Sequence, residues 1–181
     1  MEPFEVDILQ SRNRKSTIVP FCLGIEDKPQ YVEFDVISAF EIDPERNKIA
    51  MRGIVPGPTE TSSTLQCLPV YTLLLAAGNP TVHWFILDIE GVEFQVLQTI
   101  PWHSVDIEII SVETDLAGLV MPGSREEIIE YMKSQGYIHR SHQVESHIKS
   151  GVVKDDLFIR EDVFQRYKNI NTNSHILRDE L

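Results

Sequence analysis

The stretch Val82-His83-Trp84-Phe85-Ile86-Leu87-Asp88-Ile89 runs directly into the acidic turn Asp88-Ile89-Glu90-Gly91-Val92-Glu93. Its apolar positions hardly alternate, which predicts a strand buried on both faces, as in a parallel sheet. Parallel strands need long crossovers, and the residues that follow supply one. Val92, Val96 and Ile100 share one helical face, with Leu97 beside them, and Pro101 ends the run. Val105 to Val112 is a second strongly apolar strand, with Asp106 and Glu108 on alternate positions. Ser124-Arg125-Glu126-Glu127 then has capping-box spacing. Ile128, Ile129 and Met132 give that helix its apolar stripe, and Gly136 suits the position after its end. Tyr137-Ile138-His139 and Asp156 to Arg160 read as two arms of a terminal strand pair. The fold class is α/β: half of a doubly wound, Rossmann-like fold, with a mostly parallel sheet and a terminal antiparallel strand pair.

Upstream the pattern is looser. Residues 1–17 are polar. Ile18 to Ile25 is β-rich with Pro20 near its start, and Glu26-Asp27-Lys28-Pro29 is a turn. Tyr31 to Ile37 alternates with a period of two, which predicts a strand hairpin-paired with the one before it. Residues 41–64 read as a long loop holding at most a short strand, Ile49 to Val55. Tyr71 to Ala77 reads as a short helix stopped by Gly78-Asn79-Pro80. Residues 161–181 are a polar tail, partly helical. The expected division is a polar segment 1–17, a domain 18–160 and the tail.

A length of 181 residues with 42% hydrophobic content suits one domain with an ordinary core. The net charge of −12 repels phosphate backbones and disfavours nucleic acid as a partner. Cys22 and Cys67 are too few for a disulfide framework and lack the spacing of a zinc site, so they do not report a compartment. No apolar run approaches the ~20 residues of a membrane span, and Met1-Glu2-Pro3-Phe4-Glu5 lacks signal-peptide character. The expectation is a soluble chain, reaching a membrane only through an N-terminal anchor in a longer parent.

Ligands of open α/β sheets bind beyond the carboxyl ends of the strands. Asp88 ends its strand, Glu90 follows in the loop, and Glu93 falls in the first helical turn. Gly91 lets the backbone turn sharply and lets a ligand approach. Three carboxylates there can orient a substrate, bind a metal or act as a general base. They can equally cap a helix, whose dipole favours acids in its first turn. Pattern alone leaves both readings standing.

The stretch Phe85-Ile86-Leu87-Asp88-Ile89-Glu90-Gly91-Val92-Glu93-Phe94-Gln95-Val96-Leu97 resembles the signature of the FkbM-type S-adenosylmethionine-dependent methyltransferases. Val70-Tyr71-Thr72-Leu73 is similar to a further family segment, and Ile110-Ser111-Val112-Glu113 to its next strand, which ends in Glu. The resemblance covers roughly residues 18–160 and is nearest to the Star-like branch around His83-Trp84-Phe85 and Leu65-Gln66-Cys67-Leu68-Pro69. It implies a membrane-anchored protein that moves growth-factor precursors from endoplasmic reticulum to Golgi. It also implies roles for Asp88, Glu90 and Glu93 in catalysis and for Gly91 at the cofactor. Two features depart from the family. No Gly-x-Gly turn precedes residue 53, Gly24 stands alone, and the chain reads as starting near the family's third strand. S-adenosylmethionine is therefore expected only in a longer parent. Leu74-Leu75-Ala76-Ala77 also stands where the family often has acids.

Arg178-Asp179-Glu180-Leu181 resembles the address read by an endoplasmic-reticulum retrieval receptor. It agrees with a secretory-pathway location, the alternative being the cytoplasm. His139, His142 and His147 read as surface histidines rather than a metal site, and no Gly-x-Ser-x-Gly elbow marks a hydrolase. Trp84 and Trp102 read as core or rim packing. Three functions follow. One is a trafficking module without catalysis, contacting protein cargo through an acidic rim. The second is an O-methyltransferase acting on a small molecule or glycan, its cofactor loop in a missing N-terminal part. The third is a structural domain whose acidic turn is a cap. If the strand at 82–89 lacks a neighbour, it is expected to offer an unpaired edge and promote self-association.

Overall fold

The computed structural model describes residues 11–12, 15–35, 39–40, 49–50, 53–55, 57–58, 60, 62–144 and 153–173. The segment Arg178 to Leu181, His147, and most of residues 1–17 lie outside the described residues. The chain forms two compact units, Met1–Gly78 with Gln95–Pro101, and Asn79–Phe94 with Trp102–Leu181.

In the first unit, β1 is Cys22–Leu23, β2 Gln30–Asp35, β3 Ala39–Phe40, β4 Ile49–Ala50, β5 Gly53–Val55 and β6 Ser62–Leu68. Four of them form a sheet in the order β1-β6-β2-β5, and β3 with β4 makes a separate ribbon. β1 and β2 are thus not the hairpin that the alternation suggested: β6 lies between them, parallel to β1 and antiparallel to β2. β6 itself begins in the small polar run that reads as loop. Its hydroxyls explain this. Ser62 Oγ and Thr64 Oγ1 donate to Glu33 across the strand pair, at 2.8 and 2.7 Å, and hold its carboxyl below the usual range. The parallel register sets Cys22 opposite Cys67, with Cα atoms 4.4 Å apart, and the two form a disulfide. The two cysteines, too few for a framework, still make one bridge, because strand pairing brings together residues 45 apart. Helix α1, Val70–Ala76, ends where Gly78 and Asn79 take φ of 86° and 49°.

In the second unit, β7 is Phe85–Leu87, β8 Ile109–Glu113, α3 Arg125–Ser134, β9 Tyr137–Val144, β10 Val153–Arg160 and α4 Glu161–Asn173. Helix α2, Glu93–Thr99, follows β7 in the chain, its residues from Gln95 on belonging to the first unit, and a single 3-10 turn spans Trp102–Ser104. The sheet order is β7-β8-β10-β9. Only β7 and β8 run parallel; β10 is antiparallel to both β8 and β9. The mostly parallel sheet is thereby corrected: the link from β9 to β10 is too short for a crossover, so the last strand returns as a hairpin arm and inserts beside β8. The terminal strand pair is present as expected. Ser124 caps α3, its Oγ accepting from Glu127 N–H at 3.2 Å, and Ile128 and Met132 are wholly buried. Gly136, with φ 86°, follows the helix end. The polar tail opens with α4, and Val163 is its buried anchor.

The strand predicted over 82–89 is shorter and differently placed. Among the described residues β7 is the outermost strand, extended by a bridge from Val82 to Ile107. Leu87 is buried, but Trp84 and Ile86 are 63% and 67% exposed. Burial on both faces does not hold, and Trp84 packs into neither core nor rim. Trp102 does pack, its ring edge-on to Tyr137 and its Nε1–H donating to Tyr131 Oη at 3.1 Å. Among the described residues no helix is long and apolar enough to cross a membrane.

Candidate functional site

Adjacent parallel strands finish side by side. Leu87 is registered with Val112, so the next residues, Asp88 and Glu113, leave the sheet together. The chain then reverses through two successive left-handed residues, Glu90 at φ 63° and Gly91 at φ 97°. For glutamate that conformation costs about 1 kcal/mol, so the surroundings must hold it. Glu93 does so. It is 1% exposed, and its carboxylate folds back to accept Ile89 N–H at 2.8 Å and Gly91 N–H at 3.0 Å. Only glycine fits at 91, since a Cβ there would lie 3.0 Å from Val120 Cγ2 and 3.2 Å from Leu116 O.

Four carboxyls converge here, and they repel one another's ionisation. Burial, then the charges of Asp88 and Glu90, push Glu113 up to about 8; Asp88 is also its hydrogen-bonding neighbour. The Oε2 of Glu113 is sealed from solvent and has no hydrogen-bond partner. Burial first, then Asp88 and Glu93, raise Glu90. Burial raises Glu93 as well, against the pull of the backbone N–H groups it accepts. At neutral pH Glu113 is therefore largely a neutral acid within a cluster of carboxyls, an arrangement suited to moving a proton or receiving a cationic group. Among the described residues no three of His, Cys, Asp and Glu are disposed to share a metal ion.

The residues singled out in the sequence thus divide by role. Asp88 is exposed and Glu90 half-buried, both at the rim. Glu93 is turned inward and holds the turn. Gly91 faces the 116–120 segment, and its N–H donates to Glu93. Glu113 belongs with Asp88 although only its place at a strand end was noticed; two apolar strands that each end in an acid were the available signal.

A second buried carboxylate, Asp156, was missed altogether. It is wholly buried in β10 and bound by Arg125 twice, Nε at 2.6 Å and Nη2 at 2.7 Å. Thr114 Oγ1 donates at 2.7 Å and His139 Nε2 lies 2.6 Å away. Burial pushes its carboxyl up, but Arg125, His139 and Thr114 outweigh that and hold it below the usual range. His139 is accordingly no surface histidine. Its signal was alternation: Asp156 takes the same inward register as Phe158. Thr114 and Arg125 stand at the two ends of the loop that backs Gly91, so one carboxylate pins both ends.

The chain matches no curated protein and no solved structure. The family model described as the methyltransferase FkbM domain matches residues 1–138, a span that takes in β7, the acidic turn, β8 and α3. The chain belongs to the methyltransferase FkbM domain family.

Proposed function

We propose that this chain is a binding module of the Star-like kind, with a methyltransferase-related fold and no catalysis of its own, acting on protein cargo such as growth-factor precursors between endoplasmic reticulum and Golgi. The observation that carries this reading is that the turn's binding groups are spent internally. Ile89 and Gly91 N–H donate to Glu93, and the α-carbon of Gly91 faces Leu116 and Val120. S-adenosylmethionine, the cofactor that the family implies, does not fit these residues. The side chains at the rim, Asp88, Glu90 and Glu113, are all carboxyls, with no cationic group among them to pair with the cofactor's own carboxylate. What remains outward is an acidic edge suited to a basic protein partner.

The Cys22–Cys67 disulfide supports the secretory setting, because cytosolic thiols are kept reduced. The resemblance of Arg178-Asp179-Glu180-Leu181 to a retrieval address is in keeping with it. Calorimetric titration of the full chain with S-adenosylmethionine tests the non-catalytic reading. No binding heat is expected, and micromolar affinity would refute it. A second reading, an O-methyltransferase whose cofactor loop lies in a longer parent, is favoured by Glu113, whose raised carboxyl beside Asp88 suits a general base. Cofactor affinity in a titration of a longer parent, with none in this chain alone, would turn the choice toward it.

A further inference from the structure

The two faces of the second sheet are unequal. Pairing register assigns Leu87, Ile110, Val112, Asp156, Phe158 and Tyr137 to one face, and all six are buried. The opposite face carries Ile86, Ile109, Leu157, Ile159 and Ile138, with Trp84 continuing the β7 row. None of these is buried, and Trp84 and Ile86 stand mostly in solvent. A strand with apolar residues on both sides belongs to a sheet covered on both sides. The sequence encodes two apolar faces; α4 reaches the β9 side of the second, where Arg140 lies over the Phe164 ring, and the β7 end with Trp84 and Ile86 is the part left exposed by the described residues.

One end of the open face is charged. Asp88 and Glu113 emerge side by side, and Asp155 is registered directly with Glu113. Three acids therefore line the edge that borders the apolar row. We propose that this face is a docking surface for one amphipathic helix of a partner protein, with an apolar stripe over Trp84 and Ile86 and lysines or arginines over the acidic edge at Asp88 and Asp155. A helix is the element that covers such a sheet face. Charge decides whose helix it is. A second copy would bring another chain of net charge −12 to an acidic edge, whereas a basic helix is attracted to it. The proposal rests on the binding-module reading for its partner being a protein; the surface itself does not depend on the absence of catalysis.

Trp84 reports directly on the face. In a Trp102→Phe background of the full chain, its emission is followed while two synthetic helical peptides are added. Both carry the same leucine stripe, one with lysines at one end, the other with glutamates there. The lysine peptide should shift Trp84 emission to the blue. Its affinity should fall about tenfold or more on Ile86→Asp, an exposed position where folding is not at stake. Asp88→Asn should weaken it by a smaller factor that vanishes at high salt. Equal binding of the glutamate peptide, or an unchanged affinity for Ile86→Asp, overturns the proposal. So does strong protection of Trp84 from acrylamide in the free chain, which would mean that its own segments cover the face. A blue shift that grows with protein concentration alone would make a second copy the occupant and overturn it too. S-adenosylmethionine added to the same samples separates the readings. Cofactor binding that leaves the peptide response intact removes the non-catalytic reading and keeps the surface; cofactor binding with no peptide response removes both.

Discussion

Replacing Glu113 by Gln should stabilise the protein in alkali and leave it unchanged in mild acid. The carboxyl of Glu113 is raised from an ordinary 4.5 to about 8. The folded chain then holds a proton that the unfolded chain has already released, and stability falls as pH rises through that window. At about 1.4 kcal/mol per unit, a shift from 4.5 to 8 sets a ceiling of about 5 kcal/mol. Partial solvent access reduces this to roughly 2 kcal/mol. Gln keeps the shape and hydrogen-bonding reach of the protonated acid but cannot ionise. Urea unfolding followed by circular dichroism at about pH 5 should show the variant and the parent equal within roughly 0.5 kcal/mol. At about pH 9 the variant should be more stable by roughly 2 kcal/mol. Asp88→Asn should flatten the parent's profile in the same direction, since it removes the second-largest cause of the shift. A difference that is the same at both pH values, or an alkaline loss in Glu113→Gln, would refute the electrostatic reasoning.

Asp156→Ala removes one partner from a buried charged group and should cost about 3 kcal/mol, read as a fall in urea midpoint. Because Asp156 is held below its ordinary 3.8, its contribution should persist above that pH and fade as acid is added; an unchanged acid limb in the variant's profile would contradict this. Gly91→Ala forces a Cβ into Val120 and Leu116 at a left-handed φ and should destabilise by about 1–3 kcal/mol, whereas Gly57→Ala, with open space around it, should not; equal effects would count against the tight approach. Reducing the Cys22–Cys67 bond, or replacing both with Ser, releases a link across 45 residues and should lower stability by about 2–4 kcal/mol, measured by thermal unfolding with and without reductant.

Much of the second sheet was legible because its signals are local. The capping box at Ser124, the stripe at Ile128 and Met132, and the hairpin arms at 137–139 and 156–160 each state their own structure. The order of strands was not legible. Nothing around residues 18–37 says that Ser62–Leu68 will lie between β1 and β2, since the hydroxyls of Ser62 and Thr64 find Glu33, a residue far off in sequence. The acidic turn was visible, but its division of labour was not. Glu93 and Glu90 are the same residue type three apart, and only the reversal at Glu90-Gly91 decides which points inward. Glu113 and Asp156 depended on register, which composition does not carry. The apolar run at 82–89 was read for burial it does not have, because a strand's apolar face records what ought to cover it.

Among the described residues β10 is the last strand and yet an interior one, bonded to β8 on one side and β9 on the other. During synthesis β8 is complete at Glu113, but its inner neighbour ends only at Arg160, 47 residues later (160 − 113). At roughly 5–20 residues per second the exposed edge of β8 waits about 2–9 s for its mate. For that interval the nascent sheet can recruit a wrong strand, and a messenger cut short before residue 153 would leave β8 and β9 permanently unjoined.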